Sequence, residues 1–247
     1  MIWPPAGVCD DHGQEVSRLK TVGLVHGAYH GAACWAKLIP ELGRLGLQAR
    51  AVDLPIHDAA AGATQYAETV VRAFDDVDDL ILVGHSMAGV TIPLVAQMRP
   101  VARLVFLCSL LPEIGSSLRD QMGREPIDPG AVGEAQWVDC GGGSWLPAPA
   151  TARALFYYDL SDADVAWLVP QLRRQTTTLI NEITPLQSWP DCDRAAIVCT
   201  DDRVVAPDWS RRAVRERLGV DPIEMPGGHS PFVGRPAELA RAIAALA

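Results

Sequence analysis

The apolar positions of the chain fall into short runs that alternate with amphipathic segments. The runs carry few polar residues and end near glycine or proline, which is typical of strands buried on both faces. These runs cover residues 21–27, 47–55, 80–84, 102–111, 195–200 and 222–225. Apolar side chains recur at helical spacing over residues 32–46, 64–77, 87–99, 207–219 and 236–247, and Thr64 is the predicted N-cap of its helix.

Buried strands that alternate with helices form a parallel sheet with helices on both faces. We therefore predict an α/β fold with about six strands. The alternation stops over residues 112–190, which contain many prolines and a run of three glycines. We interpret this stretch as an insertion that covers one end of the sheet and call it the cap segment. The predicted core then consists of residues 21–111 and 191–247, preceded by a polar extension over residues 1–20.

Composition and charge restrict the possible partners. The 247 residues are 49% hydrophobic and carry a net charge of −9, so the chain is globular but repels nucleic-acid phosphates and anionic lipid surfaces. No apolar run reaches the roughly 20 residues that span a bilayer. The first 20 residues lack the basic start and apolar centre of a signal peptide. We expect a cytoplasmic protein with reduced cysteines, without a nucleic-acid or membrane partner, and a homodimer remains an open alternative.

One serine lies where a buried strand must turn at once into a helix. Residues 82–89 read LVGHSMAG, with Ser86 at the turn. A serine in this context can be a nucleophile held at the tip of a sharp turn, which requires small residues two positions before and after it. Gly84 and Ala88 satisfy that requirement. The alternative is a tight turn whose serine only caps the helix.

A serine hydroxyl needs a general base, and the base needs an acid that orients it. His229 follows the last predicted strand in a loop opened by two glycines, and it is the candidate base. Asp201 and Asp202 follow the preceding strand, and Glu113 is a weaker alternative acid after another strand. The chain order of Ser86, aspartate and histidine is that of an α/β-hydrolase triad. The carboxyl ends of parallel strands share one edge, so we expect these groups to meet there.

Two backbone amides are candidate donors to an oxyanion. The Met87 N–H lies at the start of a helix, and the Ala28 N–H follows the first strand, so both can point at the same place. His26 and His30 have the i, i+4 spacing of a helical metal pair, but glycines surround them after a strand, so no metal or other cofactor is expected. We expect His85 to shape the turn or to pack, with a proton relay as the alternative.

Five stretches of the chain resemble the α/β-hydrolase superfamily. More narrowly, they are similar to the branch that holds plant methylesterases, the salicylate-binding esterase and hydroxynitrile lyases. The resemblance covers most of the chain outside residues 1–20 and the cap segment. It rests on LVHGAYHGAACWAKLIPELGRLGLQARAVDLP (24–55), ILVGHSMAG (81–89), VFLCSLLP (105–112), CTDDRVVAPDW (199–209) and EMPGGHSPF (224–232).

The resemblance assigns roles to individual residues. It implies Ser86 as the nucleophile and His229 as the base. The family places its acid a fixed number of positions before a proline-led helix, and this register favours Asp202 over Asp201. It also matches Ala28 and Met87 with the oxyanion donors.

Two positions depart from the lyases of this branch. Those enzymes have threonine where this chain has Ala28, and lysine where it has Ser230. A departing cyanide would lack its positive charge, so the resemblance implies hydrolysis of a small carboxylic ester.

Aromatic residues of the cap segment are candidate substrate contacts. Trp137, Phe156 and Trp189 are predicted to line an apolar pocket, although large side chains also pack an insertion against a sheet. Three functions stay open. The first is a serine esterase, the second uses the same triad for thioester release, lactone closure or a lyase step, and the third is a non-catalytic ligand-binding protein of this fold.

Overall fold

The computed structural model describes residues 20–130 and 135–247. The predicted N-terminal extension lies outside these residues apart from Lys20. Within the described part of the chain, six parallel strands form one sheet in the order β2-β1-β3-β4-β8-β9, and β5, β6 and β7 form a small antiparallel sheet. The strands are β1 (Thr21–Val25), β2 (Gln48–Val52), β3 (Leu80–His85), β4 (Arg103–Leu107), β5 (Trp137–Asp139), β6 (Ser144–Pro147), β7 (Gln175–Thr176), β8 (Asp193–Cys199) and β9 (Ile223–Met225). The predicted α/β class and strand number are confirmed.

Helices lie between most successive strands, and two more follow β9. They are α1 (Leu38–Arg44), α2 (Ala63–Ala73), α3 (Ile92–Met98), α4 (Leu118–Arg124), α5 (Pro149–Phe156), α6 (Asp162–Leu168), α7 (Thr178–Asn181), α8 (Pro207–Ala213), α9 (Pro231–Gly234) and α10 (Pro236–Ala244). Short 3₁₀ turns occupy Ala32–Trp35, Ser86–Val90 and Val169–Gln171, and Val214–Leu218 is a π-helical turn. Among the described residues, no helix has the length and apolar content needed to cross a membrane.

Two predicted helix details are wrong. The helix predicted over residues 87–99 is a 3₁₀ turn followed by α3, because the chain turns too sharply after β3 for a continuous α-helix. The N-cap of α2 is Gly62, not Thr64. The Gln65 side chain accepts a hydrogen bond from the Gly62 N–H, and the Glu182 carboxylate accepts one from the Ala63 N–H. These contacts satisfy the free amides, so no threonine hydroxyl is needed.

The core lies on both faces of the large sheet. Along β3, Leu80 and Leu82 pack into the cluster on one face, and Ile81 and Val83 pack into the cluster on the other. All four side chains are buried, and each contributes about 1.5–3 kcal/mol by leaving water. This explains why β3 reads as a continuous apolar run rather than an alternating one.

The cap segment contacts the carboxyl edge of the sheet. It contains α4 to α7 and the small sheet, and it connects β4 to β8. The Arg173 N–H donates to Tyr29 O in the loop after β1, over 2.7 Å, and the Thr176 N–H donates to Ile56 O in the loop after β2, over 2.9 Å. The segment is therefore fastened to the loop after β1, which contains Ala28, and to the neighbouring loop after β2.

The turn after β3 is the tightest point of the fold. Ser86 has a φ of 53°, in the left-handed region that L-residues other than glycine rarely adopt. A Cβ placed on Gly89 would lie 2.0 Å from Leu110 O, and one on Gly84 would lie 2.9 Å from Ile92 side-chain carbons. The absence of a side chain at these two positions therefore permits the turn and its approach to the loop after β4.

We predict that Gly89→Ala lowers the free energy of unfolding by about 1–3 kcal/mol, because the new methyl group collides with a backbone oxygen. Gly43→Ala is the matched control. No atom lies within 4 Å of a Cβ built there, so helix propensity alone raises stability by about 0.5–1 kcal/mol. Urea unfolding of both variants measures the two effects, and equal stabilities would contradict the steric argument.

Three histidines are buried where β1 and β3 end. His26, His30 and His85 are each at most 3% exposed. Burial lowers the pKa of His26 and of His30 to about 4, and it places the pKa of His85 well below its usual value. All three side chains are therefore neutral at neutral pH.

The buried histidines predict a loss of stability in acid. Their pKa is lower in the folded chain than in the unfolded chain, so protonation favours unfolding as the pH falls from about 6.5 towards 4. For His26 and His30 the loss is on the order of 3 kcal/mol each. Urea unfolding between pH 7 and 4.5 measures it. His85→Gln removes one titrating group. The slope of the unfolding free energy against pH should therefore fall by the equivalent of about one proton, whereas an unchanged slope would contradict the neutral state of His85.

Candidate active site

The candidate site residues meet at the carboxyl edge of the large sheet. Ser86 follows β3, Ala28 lies in the loop after β1, and His229 lies in the loop after β9. A cavity of about 230 Å³ is lined by these three residues together with Met87. The strand order thus brings together groups that are up to 201 positions apart in the sequence (28 to 229).

Neighbouring loops hold Ser86 in its turn. The Ser86 carbonyl accepts a hydrogen bond from the Leu110 N–H over 3.0 Å. The Ser109 hydroxyl donates to Gly84 O over 2.6 Å. A left-handed residue other than glycine costs about 1–2 kcal/mol, and such conformations persist where their surroundings fix them. Ser86 is 6% exposed, and it faces the cavity from this fixed turn.

His229 and Asp202 form a buried hydrogen-bonded pair. His229 Nδ1 lies 2.8 Å from Asp202 Oδ2, and both side chains are 2% exposed. Asp202 Oδ1 accepts hydrogen bonds from the Val204 N–H at 2.7 Å and the Val205 N–H at 3.1 Å. One carboxylate oxygen is thus fixed by the backbone and the other faces the imidazole. The Nδ1 of His229 donates, which leaves Nε2 able to accept a proton.

The two alternative acids have other partners. Asp201 Oδ2 accepts hydrogen bonds from the Gly227 N–H at 3.0 Å and the Thr200 hydroxyl at 3.1 Å. Glu113 forms an exposed ion pair with Arg124. Asp201 therefore stabilises the loop that leads to His229, and among the three candidate acids Asp202 is the one bonded to the imidazole.

His85 supports the backbone of His229. Its Nε2–H donates to His229 O over 2.8 Å, and the centres of the two rings are 4.6 Å apart. The other ring nitrogen of His85 has no hydrogen-bond partner. Because its one hydrogen bond ends on a main-chain carbonyl, His85 has the position of a structural support rather than of a proton relay.

His26 and His30 fix two successive peptide groups of the loop after β1. His26 Nδ1 donates to Gly27 O over 2.8 Å, and its Nε2 accepts the Leu54 N–H over 3.0 Å. His30 Nδ1 donates to Ala28 O over 2.6 Å, and its Nε2 accepts the Tyr157 hydroxyl over 2.7 Å. Both nitrogens of both rings are therefore engaged with protein atoms. No sequence signal predicts these roles, since the second partner of each ring, Leu54 or Tyr157, lies far away in the chain.

The Ala28 and Met87 amides flank Ser86. A Cβ on Gly27 would lie 2.7 Å from Ser86 Cβ, so the loop after β1 passes directly beside the serine. Among the turn and loop hydrogen bonds of the described residues, none is donated by the Ala28 N–H or the Met87 N–H. Both amides therefore have the free donor capacity that an oxyanion site requires.

One group of side chains has potential metal-ligand atoms. Those of Cys108, Asp202 and His229 lie within 4.8 Å of one another. A hydrogen bond with Cys199, together with burial, raises the pKa of the Cys108 thiol well above its usual value. The thiol is therefore uncharged, and the aspartate and histidine are already bonded to each other. This donor set fits an acid–base pair better than a metal site.

Two of the three predicted substrate contacts line the cavity. Trp137 and Phe156 are in its wall, where the Tyr29 ring lies 5.1 Å from that of Trp137. Trp189 is not in the wall. It packs against the core with its ring 6.0 Å from that of Phe106, because it lies just before β8 begins at Asp193, whereas the cavity lies where the parallel strands end. Further apolar wall residues that the sequence analysis did not identify are Leu110, Leu118, Met122, Ile127, Leu155 and Ile180.

Comparison with known proteins agrees with this fold. Residues 24–242 match the model of the alpha/beta hydrolase family. Methylesterase 3 of Arabidopsis thaliana is 27% identical, over 91% of this chain and 95% of its own length. The alpha-hydroxynitrile lyase of Arabidopsis thaliana is 26% identical, over 91% and 95%. A pyrethroid hydrolase of known structure is 25% identical, with a TM-score of 0.78, and covers 93% of this chain and 97% of its own.

The match extends over most of the chain and includes the segments that carry Ser86, Asp202 and His229. The resemblance that the sequence predicts, to the branch with methylesterases and hydroxynitrile lyases, is confirmed. The chain belongs to the alpha/beta hydrolase family.

Proposed function

We propose that the protein hydrolyses a small carboxylic ester with Ser86 as nucleophile, His229 as base and Asp202 as the acid that orients it. The observation that carries this proposal is the buried 2.8 Å contact between His229 Nδ1 and Asp202 Oδ2, beside a cavity that Ser86 and His229 both line. A protein that only bound a ligand would gain nothing from an oriented imidazole next to a strained serine.

In the first half of the reaction, His229 Nε2 takes the Ser86 proton while Ser86 Oγ attacks the acyl carbon. The carbonyl oxygen becomes negative and accepts hydrogen bonds from the Ala28 and Met87 N–H groups. Asp202 stabilises the imidazolium. The intermediate then collapses, the alcohol leaves with the proton from His229, and the acyl group remains on Ser86.

In the second half, water replaces the alcohol. His229 takes a proton from the water as the water oxygen attacks the acyl carbon, and the same two amides bind the new oxyanion. Collapse breaks the bond to Ser86 Oγ, which recovers its proton from His229, and the carboxylic acid leaves.

The cavity supports esters with a compact apolar or aromatic part. Its volume of about 230 Å³ suits a small molecule, and its wall contains Trp137, Phe156 and Met122. Apolar walls with few polar groups favour such ligands. The relatives named methylesterase and pyrethroid hydrolase support ester hydrolysis. Ser230, which follows His229, is buried and uncharged and has no hydrogen-bond partner for its hydroxyl, so no cation is available there for a departing cyanide.

Ser86→Ala should lower the turnover of p-nitrophenyl acetate by about 10⁵–10⁶-fold, because loss of a nucleophile removes the covalent route. A fluorophosphonate probe should label the natural protein and not this variant. Full activity in Ser86→Ala would remove Ser86 from the mechanism.

Asp202→Asn and Asp201→Asn form a matched pair. Asn at 202 would favour the wrong tautomer of His229, so kcat should fall by about 10⁴-fold. Asn at 201 keeps an oxygen that accepts the Gly227 N–H, so kcat should change by less than about 3-fold. Steady-state kinetics measure kcat for both variants. A larger loss in Asp201→Asn than in Asp202→Asn would make Asp201 the acid.

A substrate panel tests the reaction class. We expect hydrolysis of p-nitrophenyl and methyl esters of small apolar acids and no cleavage of mandelonitrile. Faster release from acyl thioesters than from matched oxygen esters would instead favour the alternative of thioester release.

A further inference from the structure

The peptide group between Ala28 and Tyr29 is held at both ends. Its carbonyl accepts a hydrogen bond from His30 Nδ1 over 2.6 Å, and its N–H donates to Gln175 Oε1 over 2.9 Å. A peptide group is planar, so two such bonds fix the orientation of the whole unit. Tyr29 has a φ of 62°, which its surroundings must maintain.

The preceding peptide group carries the proposed oxyanion donor. Its carbonyl, Gly27 O, is bonded to His26 Nδ1, and its N–H is that of Ala28. Ala28 is thus joined on one side to a peptide fixed by His26 and on the other to a peptide fixed by His30 and Gln175. The direction of the Ala28 N–H therefore depends on how both of these peptide groups are held.

Gln175 also reaches the second proposed donor. Its Nε2 lies 2.8 Å from Met87 Sδ, which is a weak acceptor. The Tyr29 N–H requires an acceptor, so the Gln175 atom that it contacts is the amide oxygen. The atom beside Met87 Sδ is therefore the amide nitrogen. Gln175 is 2% exposed and lies on β7, paired with Trp145 of β6. A single side chain of the cap segment therefore spans the two segments that hold the Ala28 and Met87 amides.

We propose that Gln175 is a positioning residue that sets the relative placement of the Ala28 and Met87 N–H groups and thereby stabilises the oxyanion. This inference rests on the proposed function. Gln175 is not in the wall of the active-site cavity. It lies behind the two donors, in a small gap that it lines together with His26, Ala28 and Met87, so it acts on the reaction through them.

The chemistry of the side chain supports this role over packing alone. A buried amide loses its bonds to water, which is unfavourable unless protein groups replace them. An apolar side chain of the same size would fill the space without that requirement. Here the amide oxygen satisfies a buried N–H next to a donor, and the amide nitrogen contacts the side chain of the residue that carries the other donor.

Gln175→Met tests the proposal, since methionine has a similar volume but makes neither contact. We expect kcat for p-nitrophenyl acetate to fall by about 10–100-fold, with KM within about 2-fold, because small displacements of catalytic groups cost this much. The inhibition constant of a trifluoromethyl ketone, which forms an oxyanion on the serine, should rise by a similar factor. All rates are expressed per active site, counted by titration with a fluorophosphonate.

Two further variants separate positioning from folding. Thr176→Val removes a hydroxyl from the next residue of β7, whose weak contacts are with Ile56 O and Asp58 O, and kcat should stay within about 2-fold. Gln175→Glu keeps an oxygen for the Tyr29 N–H, and a buried acid is protonated and can donate. It should therefore recover a large part of the activity that Gln175→Met loses.

The outcomes are distinct. An unchanged kcat per active site in Gln175→Met, with only a lower melting temperature or fewer active sites, would show a structural role and overturn the inference. A rise in KM alone would assign Gln175 to substrate binding and also overturn it. If the natural protein neither hydrolyses the ester nor reacts with the fluorophosphonate, the proposed function itself fails.

Discussion

The site depends on one steric constraint, which is that the chain must reverse at Ser86 while two loops press against it. A Cβ on Gly27 would come within 2.7 Å of Ser86 Cβ, and a Cβ on Gly89 would come within 2.0 Å of Leu110 O. Glycine at both positions lets the loops approach. The hydrogen bonds that Ser109 and Leu110 donate from the loop after β4 then hold a left-handed serine that an isolated turn would release. The strained backbone of Ser86 and the loop contacts that maintain it therefore depend on each other.

Neutral histidines connect the loop after β1 to the loop after β2 and to the cap segment. An imidazole that must stay neutral has one donor and one acceptor nitrogen, so it can join a carbonyl to an N–H or a hydroxyl. His26 and His30 both do this. The burial that lowers the pKa of each to about 4 keeps this pattern intact at neutral pH. His229 differs in its partner, because its Nδ1 bonds to the Asp202 carboxylate rather than to a main-chain carbonyl, which is the arrangement that the proposed mechanism requires.

Most of the fold and the meeting of His229 with an aspartate after β8 could be predicted from local signals in the sequence, whereas the choice of Asp202 over Asp201 came from the family resemblance. Continuous apolar runs indicate parallel strands, and a group that follows such a strand lies at the shared edge. Two of the errors involve distant contacts. At the N-terminus of α2, the Ala63 N–H donates to Glu182, which lies 119 positions away, and the location of Trp189 depends on how the cap segment returns to the sheet. No local pattern encodes such contacts, and the same is true of Gln175.

The cap segment contributes to the site in two separable ways. Trp137 and Phe156 form part of the cavity wall, whereas Tyr157 and Gln175 reach behind it to the loop after β1. Phe156 and Tyr157 are adjacent in sequence, but Phe156 lines the cavity, whereas the Tyr157 hydroxyl bonds to His30 behind the cavity wall. A change in the wall alters which ester fits. Under the proposed mechanism, a change behind the wall alters the direction of an amide that every ester would use. Substitutions in the cap segment can therefore change which ester is accepted without changing the proposed catalytic geometry, provided that Tyr157 and Gln175 are kept.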